Sequence, residues 1–142
     1  MKRRFHELRV SSFVQATEVE DRVVVAMMNA AGPFDPTSLQ RAHAEGMHHN
    51  PIIILTLCLT RERDILARLE RWKKEPFWDE SLRDADERLD EDLVYHIRLD
   101  KQEAYKGRLV LWTSGEVIEI RLKVATYPSS RSEALKVLRE GA

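Results

Sequence analysis

The richest concentration of chemistry-bearing side chains is Asp100-Lys-Gln-Glu-Ala-Tyr-Lys-Gly-Arg108. Lys101, Lys106 and Arg108 can neutralise phosphates, Gln102 can hydrogen-bond a base edge or a sugar, and Tyr105 can stack on an unpaired base. The plainer alternative is a short polar connection ending at Gly107, with Tyr105 turned onto the core. A second group, Gly46-Met-His-His-Asn-Pro51, directly precedes an apolar run. The imidazoles of His48 and His49 and the amide of Asn50 can bond bases or phosphates, or Asn50-Pro51 can simply set an extended entry into a strand. A third group is the basic start Lys2-Arg3-Arg4, joined by Arg9. It provides either phosphate contacts or solubilising charge.

Enzymatic and metal chemistry have little to stand on. There is no Gly-rich phosphate loop, no Gly-x-Ser-x-Gly elbow and no His-Glu-x-x-His helix. His43 with His48 and His49 can be drawn as three ligands, but their spacing fits no standard metal motif. Cys58 sits in an apolar stretch, where a thiol serves better as core than as nucleophile. The expectation is a non-enzyme with no metal and no cofactor.

These groups need elements to position them. Phe5 to Val14 reads as a strand with Leu8, Val10 and Val14 on one side. Thr17-Glu-Val-Glu20 forms a capping box for a helix carrying Val19, Val23, Ala26, Met27, Ala30 and Ala31, which Gly32-Pro33 stops. Asp35 to Ser38 can cap a short helix toward Ala44. Ile52 to Leu59 reads as a central strand buried on both faces near its start. Thr60 caps the next helix, whose stripe is Ile65, Leu66, Leu69 and Trp72, and Pro76 ends it. Residues 79–92 hold eight acids against two arginines and read as a solvated helix or connection. Leu93 to Leu99 alternates as a strand. Leu109 to Thr113 and Val117 to Thr126 read as a hairpin around Ser114-Gly115. In the second arm Ile118, Ile120, Leu122 and Val124 point inward, and Glu119, Arg121 and Lys123 outward. Ser130-Arg-Ser-Glu133 is a second capping box, opening a helix with Leu135 and Leu138 inward.

With no repeat and no flexible linker in 142 residues, the elements belong to one domain over 1–142. Its class is α+β, a two-layer arrangement with a mainly antiparallel sheet and helices on one face. The other face could remain partly open, a natural binding surface. The formal net charge of −1 excludes a strongly basic domain. Charge placement says more: 79–92 carries net −6, while 93–142 has nine basic against six acidic groups. The longest apolar run is far short of the ~20 residues that span a bilayer, and no signal-peptide core follows the basic start. A cytoplasmic location and no membrane partner are expected.

Three strings together carry a family resemblance: Phe13-Val-Gln-Ala-Thr-Glu18, His48-His-Asn-Pro-Ile52 and Leu99-Asp-Lys-Gln-Glu-Ala-Tyr-Lys-Gly107. With Val117 to Val124 and Tyr127-Pro128, the chain resembles the archaeal RNA-binding family described as predicted exosome subunits. The resemblance implies a two-layer fold like that of the ribosomal protein that binds five-S RNA. It also implies RNA as partner, with exosome subunits beside it. By position Asn50 and Pro51, and then Asp100, Lys101, Gln102, Ala104, Tyr105 and Gly107, match the family strings. The family often has Gly before Asn-Pro, where this chain has His49. The resulting expectation is non-catalytic RNA binding through Lys101, Gln102, Tyr105, Lys106 and Arg108, with His48, His49, Asn50, Arg3 and Arg4 as further contacts. The alternative is a protein-interaction module that docks on an RNA-processing complex through its acidic segment, without touching RNA.

Overall fold

The computed structural model describes residues 3–140; Lys2, part of the basic start, lies outside them. Among the described residues the elements follow in the order β1 (Phe5–Val14), α1 (Glu20–Ala31), β2 (Gln40–Glu45), β3 (Pro51–Leu59), α2 (Glu62–Trp72), α3 (Pro76–Arg83), α4 (Ala85–Arg88), β4 (Val94–Asp100), α5 (Lys101–Tyr105), β5 (Val117–Val124) and α6 (Arg131–Glu140). The strands form one antiparallel sheet in the order β2-β3-β1-β5-β4, with helices packed against it. The α+β class expected from sequence is the class observed.

The chain folds into two compact units. The first comprises residues up to Arg9, Leu59–Ile97 and Ile120 onward; the second comprises Val10–Cys58 and Arg98–Glu119. In the first unit, Ile65, Leu69 and Trp72 of α2, Phe77 and Trp78 of α3, Tyr95 and Ile97 of β4, and Leu138 of α6 are buried together with Phe5. Trp72 stacks on Trp78 (6.4 Å between ring centroids) and meets Phe77 edge-on (6.3 Å). Trp78 meets Tyr95 at 5.9 Å, and the Tyr95 hydroxyl bonds Ser81 Oγ (2.8 Å). The Glu62 carboxylate accepts from the Arg4 and Phe5 N–H groups at 2.6 and 3.0 Å. Burial alone would raise that carboxyl, but these bonds and the charges of Arg3 and Arg4 hold it below the usual glutamate range.

In the second unit, Val23, Ala26, Met27, Ala30 and Ala31 give α1 a buried stripe at helical spacing. Gly32, at φ 89°, ends the helix as its sequence predicts. β2 pairs with β3 from Gln40↔Thr56 to Glu45↔Pro51. Ser12, at an inward position of β1, is buried because its hydroxyl donates to Val117 O (2.9 Å).

Several local expectations give way. Thr17 does not cap α1; the helix begins at Glu20 after an extended Val19 with no side-chain cap. Glu18 is the residue whose carboxylate turns back, accepting from Gln15 N–H at 2.9 Å. Asp35 does cap a turn, Pro36–Ser38, but residues 40–45 are then a strand, exposed throughout and held by backbone pairing to β3. The start of β3 is half-buried, with only Leu55 and Leu57 fully inward. Thr60 caps nothing, since Arg61 occupies the N-cap of α2 without a side-chain bond. Pro76 opens α3 instead of ending α2, in the first turn where its missing N–H is not needed. Residues 79–92 are mostly helical, and Ser81, Ala85 and Leu89 among them are buried. Finally, Leu109–Thr113 does not pair with β5: Leu111 bridges Leu99, and Trp112 N–H donates to Arg98 O at 2.9 Å. Only half of the second capping box forms: Glu133 N–H donates to Ser130 Oγ at 3.3 Å, while Ser130 N–H turns to Thr126 Oγ1 at 3.0 Å.

Candidate functional site

The Asp100–Arg108 string is a single turn of helix and its exit. Asp100 caps it, its carboxylate accepting from Glu103 N–H at 3.0 Å. At the other end Asn29 of α1 donates to Ala104 O (2.8 Å) and Tyr105 O (3.3 Å), so α1 holds the end of α5 in place. Between the two helices lies an open cleft of about 230 Å³. Glu18, Arg22, Val23 and Ala26 form one side, and Lys101, Gln102, Tyr105 and Lys106 the other. Tyr105 is 46% exposed, so its ring is neither core nor free of the surface.

The cations of this string have unlike roles. Lys101 is only 4% exposed. Its ammonium donates to Phe13 O and to Glu18 at 2.9 Å each and stands 3.8 Å from Glu116. It does not present its charge to solvent as a phosphate contact would require. Its position instead fastens α5 to the β1–α1 turn. Lys106 and Arg108 are exposed and share Glu103, at 3.7 and 2.8 Å. Exposed pairs of this kind are worth about 0–1 kcal/mol, so a phosphate can displace the carboxylate. Arg22 was not legible as a site residue; its one signal is its place four residues after Glu18 and four before Ala26, on the cleft side of α1.

His48, His49 and Asn50 are exposed at the tip between β2 and β3. His48 and His49 both have left-handed backbone, φ 59° and 61°. His49 therefore occupies a conformation that glycine takes without strain. Replacement by valine is expected to lower stability by about 1–2 kcal/mol relative to replacement by glycine. Chemical denaturation of the two variants measures the difference. The His49 imidazole is paired with Glu45 (3.0 Å). Among the described residues, no group of three or more His, Cys, Asp or Glu side chains is placed to hold a metal ion.

Arg3 and Arg4 belong to the first unit and the α5 string to the second. The Arg3 guanidinium donates to the backbone oxygens of Phe5, His6 and Thr60. The acidic segment does not stand clear of basic groups either. Asp90 pairs with His96 (2.8 Å), Asp86 with Arg131 (3.2 Å), and Asp92 O accepts from Lys123.

An antiparallel sheet with helices packed against it defines an α+β protein, here with an aromatic ring and exposed cations around a surface cleft. The family model described as RNA binding matches residues 7–124, and the chain belongs to that family. It is 28% identical to the RNA-binding protein PAB1135 of Pyrococcus abyssi, over 95% of this chain and 92% of that one. Protein AF2318 from Archaeoglobus fulgidus has a similar crystal structure, with TM-score 0.86 and 31% identity over 97% of this chain and 99% of that one. Mth689 from Methanothermobacter thermautotrophicus gives TM-score 0.80 and 30% identity over 97% and 98%. No helix among the described residues is long and apolar enough to cross a membrane.

Proposed function

We propose that the protein binds RNA without catalysing a reaction on it, and that the α1–α5 cleft receives an unpaired base. The observation that carries this reading is the half-exposed Tyr105 ring at the cleft, beside Gln102 and flanked by Arg22 and Lys106. An aromatic face supports stacking of any base, the amide offers polar contacts to its edge, and the cations suit the adjoining phosphates. Lys101 acts here as a positioning residue. The family resemblance further supports a role beside the archaeal exosome, with RNA and exosome subunits as partners.

Titration with single-stranded and structured RNAs tests the reading. Tyr105→Ala is expected to weaken single-strand binding about tenfold, in line with roughly 1–3 kcal/mol per stacked base. Lys106→Gln with Arg108→Gln should flatten the salt dependence. No saturable binding by the wild-type protein overturns it. The exposed carboxylates of residues 79–92 favour a second reading, docking on a basic protein surface. Exosome co-purification that survives nuclease, combined with no affinity for free RNA, would select that one.

A further inference from the structure

We propose that the first unit carries a separate track for single-stranded RNA, running across the outward face of the sheet from Arg121 and Lys123 past Arg9 and His6 to Tyr127. The inference rests on the reading of the protein as an RNA binder, but it uses none of the residues of the α1–α5 cleft.

The starting point is the alternation of β5. Ile120, Leu122 and Val124 are buried, so Arg121 and Lys123 must stand on the opposite face. Two residues apart on a strand, they are separated by about 7 Å, a step comparable to that between successive phosphates of an extended nucleic acid. On neighbouring β1, Arg9 lies between buried Leu8 and Val10 and reaches the same face. These three cations, with His6, Glu7 and Val94, line an open groove of about 440 Å³.

The charge of the groove selects its occupant. Its lining residues include three permanent cations and one carboxylate, Glu7, which pairs with Arg9 at 2.7 Å. Glu119 stands on the same face of β5 two residues before Arg121, so cations still outnumber acids on this face by three to two. Lys123 donates to a backbone carbonyl, Asp92 O, a bond that leaves its charge uncompensated by that partner. Asp90 is already engaged by His96 and by the Asp92 and Val94 N–H groups. Guanidinium groups present planar paired donors that match phosphate oxygens.

The groove continues into an aromatic platform. His6 meets the Tyr127 ring edge-on, 6.0 Å between centroids, and its Nε2 lies 3.3 Å from the Tyr127 hydroxyl. Tyr127 is 56% exposed, and it lines a second concavity together with Arg3, Arg4 and Glu133. Cations followed by an exposed ring is an order a single strand can use: phosphates held beside a stacked base. A duplex, with its bases paired and stacked internally, has no use for the ring.

The test measures binding of a short oligouridine and of an RNA duplex at two salt concentrations. The proteins are wild type, Tyr105→Ala, Tyr127→Ala, Tyr127→Phe and the double variant Arg9→Gln/Lys123→Gln, each checked for unchanged circular dichroism and melting. Tyr127→Ala should lose roughly tenfold in oligouridine affinity while Tyr127→Phe retains it. The double variant should lose at least about tenfold and lower the slope of log K against log salt by about 1.4, at 0.7 per lost phosphate contact. Wild-type binding left intact in both Tyr127→Ala and the double variant, with Tyr105→Ala weakened, overturns the track and leaves the cleft reading standing. Tighter binding of duplex than of oligouridine also overturns it. A wild-type protein that binds neither RNA overturns both.

Discussion

Replacing Lys101 with alanine is expected to destabilise the protein by about 3 kcal/mol, at the low end of what breaking a buried ion pair does. Three groups depend on this ammonium: the Phe13 carbonyl, Glu18 and Glu116. Its removal leaves the carbonyl without that donor and both carboxylates without that cation. Lys101→Met separates the packing of the stem from the charge, and most of the loss should remain, because the acids are still uncompensated. Lys106→Ala is the contrast. That side chain is 59% exposed and pairs loosely with Glu103, so its loss should change stability by no more than about 0.5 kcal/mol. Urea unfolding of the three variants reads the differences. A Lys101→Met protein as stable as wild type would show that the ammonium is not a structural fastening, and would return it to the list of RNA contacts.

Lys101 also shows where reading the residues in order stops. Its string was identifiable as the part of the chain richest in nucleic-acid chemistry, and four of its five candidates are exposed. Which lysine points inward depends on Glu18 and Glu116, 83 residues before it and 15 after it, and no local spacing carries that information. The strand β5 and the buried stripe of α1 were legible because burial alternates along them with the period of their own element. β2 was not, since all six of its residues are exposed and no alternation records that it is a strand. Only its backbone partners on β3 define it. The same holds for Leu109–Thr113, whose partner proved to be the end of β4. The outward cations of β5 were visible as a pattern. Their company, Arg9 and His6 from β1 and Val94 from β4, required the strand order.

Trp72→Ala is expected to lower stability by about 3–5 kcal/mol, as large-to-small substitutions of buried tryptophans do. The side chain is fully buried, and two ring contacts, to Phe77 and Trp78, go with it. Trp78 in turn meets Tyr95, whose hydroxyl is fixed by Ser81, so the void opens beside a hydrogen-bonded pair rather than beside adaptable aliphatic chains. That limits how far the site can relax and favours the upper part of the range. The variant also tests the expectation of one domain over the whole chain. Trp72 lies in the first unit, while β1, β4 and β5 each contribute residues to both units. Strands cannot keep half their length paired at no cost to the rest, so the loss should be felt in the second unit as well. Hydrogen exchange of β3 amides, which lie almost wholly in that unit, should accelerate in Trp72→Ala by the factor that global destabilisation dictates. Exchange in β3 unchanged, with α2 and α3 opened, would instead mean that the two units unfold independently.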